Sequence, residues 1–427
     1  MLKSVRHVAL VALLPFSTSL AAQEASFKHP AVEAIVHSAQ YKASMSFLER
    51  DHARIVEQNI ALQQIPAPFH EEEKKARAFA ALLKEAGLAD VSIDEEGNVL
   101  GLRKGSAGAG EVVAMVSHLD TVFDRTVDLT INREGTRIKA PGISDDTRGL
   151  AIILAMVRAM KAANIRTTKD VLFVASVGEE GLGDLRGVKY LLNKSKYKQK
   201  ITSFIALDGQ APDQIADTAA GSKRYEVRFK GPGGHSFKAF GAVNPMYPLG
   251  AVMTDLSKVQ VPAGTTYSVG VIGGGTTVNS IPLEAWMLVD MRSASVSDLA
   301  ALEKTFLQFP ERAAAAENAT RSTNNGKITV EVKLVGDRPA GHTSKDHELV
   351  KTALAASAAH GWKPRLVGLS TDQNVAMSLG IPAITIASGI GDRSHSLDEY
   401  LDVEPAASLR SIGFALTTLL AAAGIAP

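Results

Sequence analysis

With 427 residues the chain is long enough for two or three domains and a substantial core. Its 46 basic and 45 acidic residues leave a formal charge of +1, and no basic stripe interleaved with aromatics occurs, so nothing points to a nucleic-acid partner. Cysteine is absent, which excludes disulfides and thiolate metal sites and leaves any metal to histidine and carboxylate.

Lys3, Arg6 and His7 precede an apolar run from Val8 to Phe16, and small residues follow from Ser17 to Ala22. This is the layout of a secretory signal peptide over residues 1–22, with cleavage near Ala21 or Ala22, and it predicts a secreted or periplasmic protein. An uncleaved anchor is the alternative, although the run is short for a bilayer. No later stretch reads as transmembrane, so no membrane contact is expected after cleavage.

From about Phe27 to Gln63 the pattern is helical, and Ile65-Pro66-Ala67-Pro68 is a punctuated loop. Glu71 to Ala86 has an acidic first turn, one apolar face and a stop at Gly87, which predicts a helix. Val91 to Leu102 alternates around Gly97-Asn98 as a hairpin. The Gly-rich stretch Gly105 to Gly110 lacks the Lys-Ser/Thr of a phosphate loop. Three buried strands are predicted, at Val112 to Val116, Val171 to Ala175 and Ile201 to Leu207, with helices between them. Strands alternating with helices imply a mixed, mostly parallel sheet covered by helices on both faces, an α/β architecture. From about Ala216 the pattern becomes antiparallel, with helices at Pro245 to Val259 and Ser297 to Arg321. This predicts an inserted α+β unit, two helices on an antiparallel sheet, before the α/β pattern returns. The expected organisation is a catalytic domain over 23–215 and 338–427, interrupted by a lid or dimerisation domain over 216–337.

The three predicted strands end in polar residues of one kind. His118 and Asp120 follow the first, Glu179 and Glu180 the second, and Asp208 closes the third. Ligands gather beyond the carboxyl ends of strands in such sheets. Asp145 precedes a helix, and His395 lies in a Gly-rich loop after a strand. Each residue alone has a plain reading: Asp145-Asp146 as a helix cap, Asp208 as a turn residue, a lone His as a loop residue. Together, two imidazoles and several carboxylates suit zinc, with Co2+ or Mn2+ tolerated. Five ligands are too many for one tetrahedral ion and fit two that share a bridge.

The segments His118-Leu119-Asp120-Thr121-Val122, Gly142-Ile143-Ser144-Asp145-Asp146, Gly178-Glu179-Glu180-Gly181, Leu207-Asp208-Gly209 and His395-Ser396-Leu397-Asp398-Glu399 occur in a recognisable order. In this the chain resembles the co-catalytic dizinc exopeptidases and deacylases, the family of peptidase T, aminoacylase and glutamate carboxypeptidase. The resemblance runs from Ile65-Pro66 to the final helix. It implies that Asp145 bridges two Zn2+, with His118 and Asp208 completing one site and Glu180 and His395 the other. Which of Asp145 and Asp146 bridges follows from the family register only. Asp120 matches the residue that orients the His118 ring, and Glu179 the general base. His235 matches a histidine that steadies the oxyanion and comes from the partner subunit in dimeric relatives, so the resemblance admits a homodimer through the inserted domain and leaves dimer against monomer open. Asn279 and Arg292 match substrate-binding residues. Relatives commonly carry Lys after the Asp pair, where this chain has Thr147-Arg148.

The function so implied is cleavage of an amide bond in small peptides by attack of a metal-bridging hydroxide. The exopeptidase types are tripeptidase, dipeptidase and carboxypeptidase. An N-acyl-amino-acid deacylase is the enzymatic alternative, and an inactive metal-site binding protein the non-enzymatic one. The motifs do not separate the first two, because both cleave the same bond type.

Overall fold

The computed structural model describes residues 27–108 and 110–426; the expected signal peptide at 1–22 lies outside them. Among the described residues the larger sheet has nine strands. Its order is Asp90–Ile93, Val99–Arg103, Asp170–Ser176, Val112–His118, Ile201–Gly209, Ala383–Ala387, Gln214–Ala219 and Gly341–His342, with Arg365–Leu369 also beside Gln214–Ala219. The four central strands are mutually parallel, and antiparallel pairs lie towards both edges. The centre reads as unbroken apolar sequence because helices cover it on both sides, and every residue of Val112–His118 is buried.

Register fixes where the polar ends fall. Val112 pairs with Asp170 and His118 with Ser176. On the other side Val116 pairs with Ala206, two residues before Asp208. Three neighbouring strands therefore deliver His118, Glu179-Glu180 and Asp208 to one sheet edge.

The helix Thr147–Ala162 lies against this sheet and is buried along nearly its whole length. Its first turn touches the strands so closely that Gly149 is required. A Cβ there would stand 2.5 Å from Ser117 Oγ and 2.7 Å from the Leu207 carbonyl oxygen. The helix Pro405–Ala423 is long and apolar enough to cross a bilayer, but Ile412, Phe414, Leu416 and Leu419 are buried in the core, so here it is a core helix.

The second sheet is wholly antiparallel, in the order Thr265–Gly274, Glu284–Ser293, Gly221–Lys230, Thr329–Arg338. Along Glu284–Ser293 the residues Ala285, Met287, Val289 and Met291 are buried in strict alternation, as a sheet with one covered face demands. The cover is three helices among the described residues, Met246–Leu256, Val296–Phe306 and Phe309–Thr320, not the two expected. The single helix expected over 297–321 breaks at Leu307-Gln308, because Pro310 in the next first turn cannot continue the earlier hydrogen-bond ladder. The helix expected over 27–63 also divides, into Pro30–His37 and Ala39–Gln63. Ser38 is extended there and its Oγ accepts from Tyr41 N, an N-cap.

Candidate active site

His118 ends its strand with the ring held on both sides. Nδ1–H donates to the Asp120 carbonyl at 3.0 Å. Nε2–H faces Asp145 Oδ1 at 3.1 Å and Asp208 Oδ1 at 3.7 Å. His395 presents Nε2 to Glu180 Oε1 at 2.9 Å and to Asp145 Oδ2 at 3.4 Å. The Asp145 carboxylate thus touches both imidazoles, one with each oxygen. All five expected ligands meet at one place, and the ligand atoms of His118, Asp145 and Glu180 lie within 4.8 Å of one another.

Asp146 turns the other way. Its Oδ2 accepts from Ser117 Oγ at 2.6 Å and His118 N at 3.1 Å, tying the turn to the strand end. Neither aspartate caps the following helix with its side chain: Asp146 holds the N-cap position but makes no such bond. Asp146 does fall within ligand distance of His118 and Asp208, and its Oδ1 is buried with no protein partner.

The carboxylate of Asp120 holds the opposite loop. Its two oxygens accept from the backbone N–H of Glu179 at 3.0 Å and Glu180 at 2.8 Å. Its contact with His118 runs through the carbonyl; the nearest carboxylate oxygen is 3.8 Å from Nδ1. Glu179 touches neither imidazole. It pairs instead with Arg338, Nη1 to Oε1 at 2.9 Å, and Arg338 Nη2 also donates to the Glu179 carbonyl. Both side chains are buried. Arg338 is the last residue of the inserted sheet, so the second domain reaches the site through it.

The donors are imidazole nitrogens and carboxylate oxygens alone, the set that suits divalent zinc, cobalt or manganese. Electrostatics agree with a centre built for cations. Burial pushes Asp208 and Glu180 up to about 7, although bonds to His118 and His395 oppose it. Bonds to Asp145 and Glu180 raise His395 to about 10 against the cost of burial. Burial would lower His118, but its bonds to Asp145 and Asp208 hold it well above the usual imidazole range. The imidazoles hold protons because positive charge is needed among these carboxylates. His395 does so from a left-handed backbone, φ 64°, a conformation a side chain of this size adopts only under local constraint.

Two further groups were not legible as site residues. Glu399 accepts from the backbone N–H of Gly142, Ser144 and Asp145, so one carboxylate orients the whole ligand turn. Its place four residues after His395 was the only signal. Glu399→Ala leaves three backbone donors of the turn without their partner, and metal affinity is expected to fall about 10- to 100-fold, measured by chelator competition.

Asp372 is the second. It is fully buried, and Ser176 Oγ donates to it at 2.5 Å. Burial, reinforced by the charge of Glu179, pushes its carboxyl up to about 8. The unfolded carboxyl titrates near 3.9. Between these values the folded state binds the extra proton, so the contribution of this carboxyl to stability is full below pH ~4 and is lost as pH rises to about 8. Asp372→Asn, which cannot ionise, is expected to flatten that decline. Equal slopes of melting temperature against pH in both proteins would contradict the assignment.

His235, Asn279 and Arg292 lie on the inserted unit. His235 and Asn279 are neighbours, with Ser236 N donating to the Asn279 carbonyl at 3.0 Å. Arg292 Nε pairs with Asp290 at 2.6 Å. Among the described residues no hydrogen bond or ion pair joins these three to the His118–His395 cluster. A cleft of about 460 Å³ opens beside Asp145 and Asp208, bounded by Gln210, Gln214, Ser388 and Ser394.

The model of peptidase family M20/M25/M40 matches residues 114–419, a span that contains every residue of the cluster. The chain is 24% identical over 316 residues to carboxypeptidase G2 of Pseudomonas sp. (strain RS-16), covering 72% of each protein. Its fold is that of human carnosine dipeptidase 1, with a TM-score of 0.72 at 14% identity over 90% of this chain and 100% of the other. A dinuclear metal-binding M20 peptidase of Bacillus subtilis superposes with a TM-score of 0.59 at 17% identity over 87% and 99%. The chain therefore belongs to peptidase family M20/M25/M40, and its cluster of histidines and carboxylates has the donors of a metal-binding peptidase.

Proposed function

We propose that the enzyme is a dizinc exopeptidase acting on small peptides, with His118, Asp145 and Asp208 around one ion and Asp145, Glu180 and His395 around the other. One observation carries this reading: a single carboxylate, Asp145, stands between two imidazoles with a further carboxylate on each side. Bound there, two ions would polarise the amide carbonyl and lower the pKa of an attacking water. Glu179 takes that water's proton and returns it to the leaving nitrogen. Asp120 fixes the Glu179 backbone, and Arg338 holds its carboxylate at a set angle. The cleft beside Asp145 has the volume of a site for a small ligand. A carboxypeptidase and a dipeptidase among the similar proteins favour cleavage near a chain end.

In the same reading the inserted unit, whose antiparallel sheet spans residues 221–338, acts as lid and dimerisation domain. Phe237 and Phe240, close to His235, are 84% and 89% exposed, a surface suited to a second copy. Arg292 and Asn279 engage substrate from that unit, and the signal-peptide layout of the sequence over residues 1–22 supports a secreted or periplasmic location.

A panel of dipeptides, tripeptides, C-terminally blocked peptides and N-acetyl amino acids tests the substrate class. Turnover of free peptides over N-acetyl amino acids is expected, and the reverse preference would make the enzyme a deacylase. His395→Ala is expected to lose one metal ion per chain by elemental analysis; full occupancy would remove His395 from the ligand set.

A further inference from the structure

The helix Glu73–Ala86 buries an apolar face of Ala76, Phe79, Ala80 and Leu83, and Lys75 is buried beside them, 1% exposed. An ammonium in such a place is strongly unfavourable without compensating negative charge. Lys75 Nζ donates to Thr147 Oγ1 at 3.0 Å. Among the described residues no carboxylate lies within ion-pair distance of it, yet the charges of Asp120, Asp146, Glu399 and Asp145 all act on it. These groups form the scaffold of the site: the two ligand-turn aspartates, the glutamate that orients the turn, and the aspartate under Glu179-Glu180. Thr147 directly follows Asp145-Asp146, so the Lys75 amine reaches the ligand turn at its next residue. Burial lowers its pKa to about 8, and the four carboxylates oppose that shift, so it carries charge at neutral pH.

We propose that Lys75 is a positioning residue of the metal centre, a fixed positive charge brought from a separate helix to the foot of the Asp145-Asp146-Thr147 turn. It holds the carboxylates together when the ions are absent and moderates how strongly the site attracts them when they bind.

The inference rests on the two-metal reading, and its test separates the two. Wild type and Lys75→Met are stripped by chelator, and melting temperatures are compared in metal-free and zinc-loaded forms, with zinc affinity read by competition. Methionine keeps the volume and removes the charge. Its melting temperature is expected to fall by about 5 °C metal-free and by less than half that when loaded, because bound zinc replaces the lost charge. Zinc affinity is expected to tighten about tenfold. The double variant Lys75→Met/Thr147→Lys, with the charge supplied from position 147, should return both quantities towards wild type. An equal fall in both forms with unchanged zinc affinity would make Lys75 a packing residue and overturn the proposal. If Lys75→Met does not fold, a folded, zinc-binding double variant supports it and an unfolded one overturns it. Failure of wild type to bind zinc would instead sink the two-metal reading itself.

Discussion

Glu179→Ala is expected to cut turnover by roughly 10²- to 10⁴-fold while metal content stays near that of wild type. The expectation follows from contacts. Glu179 approaches neither His118 nor His395, whereas its neighbour Glu180 lies 2.9 Å from His395. The adjacent pair is divided by the loop: Asp120 pins both backbone N–H groups, and the side chains then diverge. A second effect accompanies the substitution. Glu179 and Arg338 form a buried ion pair, and removing one member of such a pair costs about 3–5 kcal/mol. Glu179→Gln separates the two effects, since the amide oxygen still accepts from Arg338 but the side chain no longer accepts a proton from water. The glutamine variant should therefore melt closer to wild type than the alanine variant, yet be as inactive. Wild-type turnover in Glu179→Gln, assayed on a dipeptide, would remove Glu179 from the reaction.

Asp145→Asn should have the larger effect on the metals. Its two oxygens face His118 and His395 separately, so a neutral amide weakens both halves of the centre at once. Metal content is expected to fall from two ions per chain to below one, and affinity by more than about 100-fold, beyond what outer partners alone contribute. Asp146→Asn is the control. Asp146 faces Ser117 and the His118 backbone, so its loss disturbs the turn and leaves Asp145 in place. Greater metal loss in Asp146→Asn than in Asp145→Asn would reverse the assignment of the bridging residue.

That His118, Glu179, Glu180 and Asp208 fall on one sheet edge was legible because sheet physics fixes it. Apolar runs such as Val112 to Val116 read as buried parallel strands, and the polar residues that end them must fall on one edge. The choice between Asp145 and Asp146 was not legible, because only the turn decides which carboxylate faces forward, and Glu399, 254 residues from Asp145, orients that turn. Arg338 was hidden for a similar reason: at the end of an exposed-looking strand it reads as a surface charge, and only the return of the chain from the inserted unit buries it beside Glu179. The strand Arg365–Leu369 escaped notice because none of its residues is buried, so no hydrophobic period marks it. Pro310 was overlooked as a helix break because it divides an Ala-rich stretch with helical propensity on both sides.

Anomalous diffraction from crystals soaked in Zn2+ tests the account most directly. Two peaks are expected, roughly 3.5–4 Å apart, with Asp145 reaching both, His118 and Asp208 beside one, and Glu180 and His395 beside the other. A single peak at saturating zinc, or two peaks of which Asp145 touches only one, would contradict it.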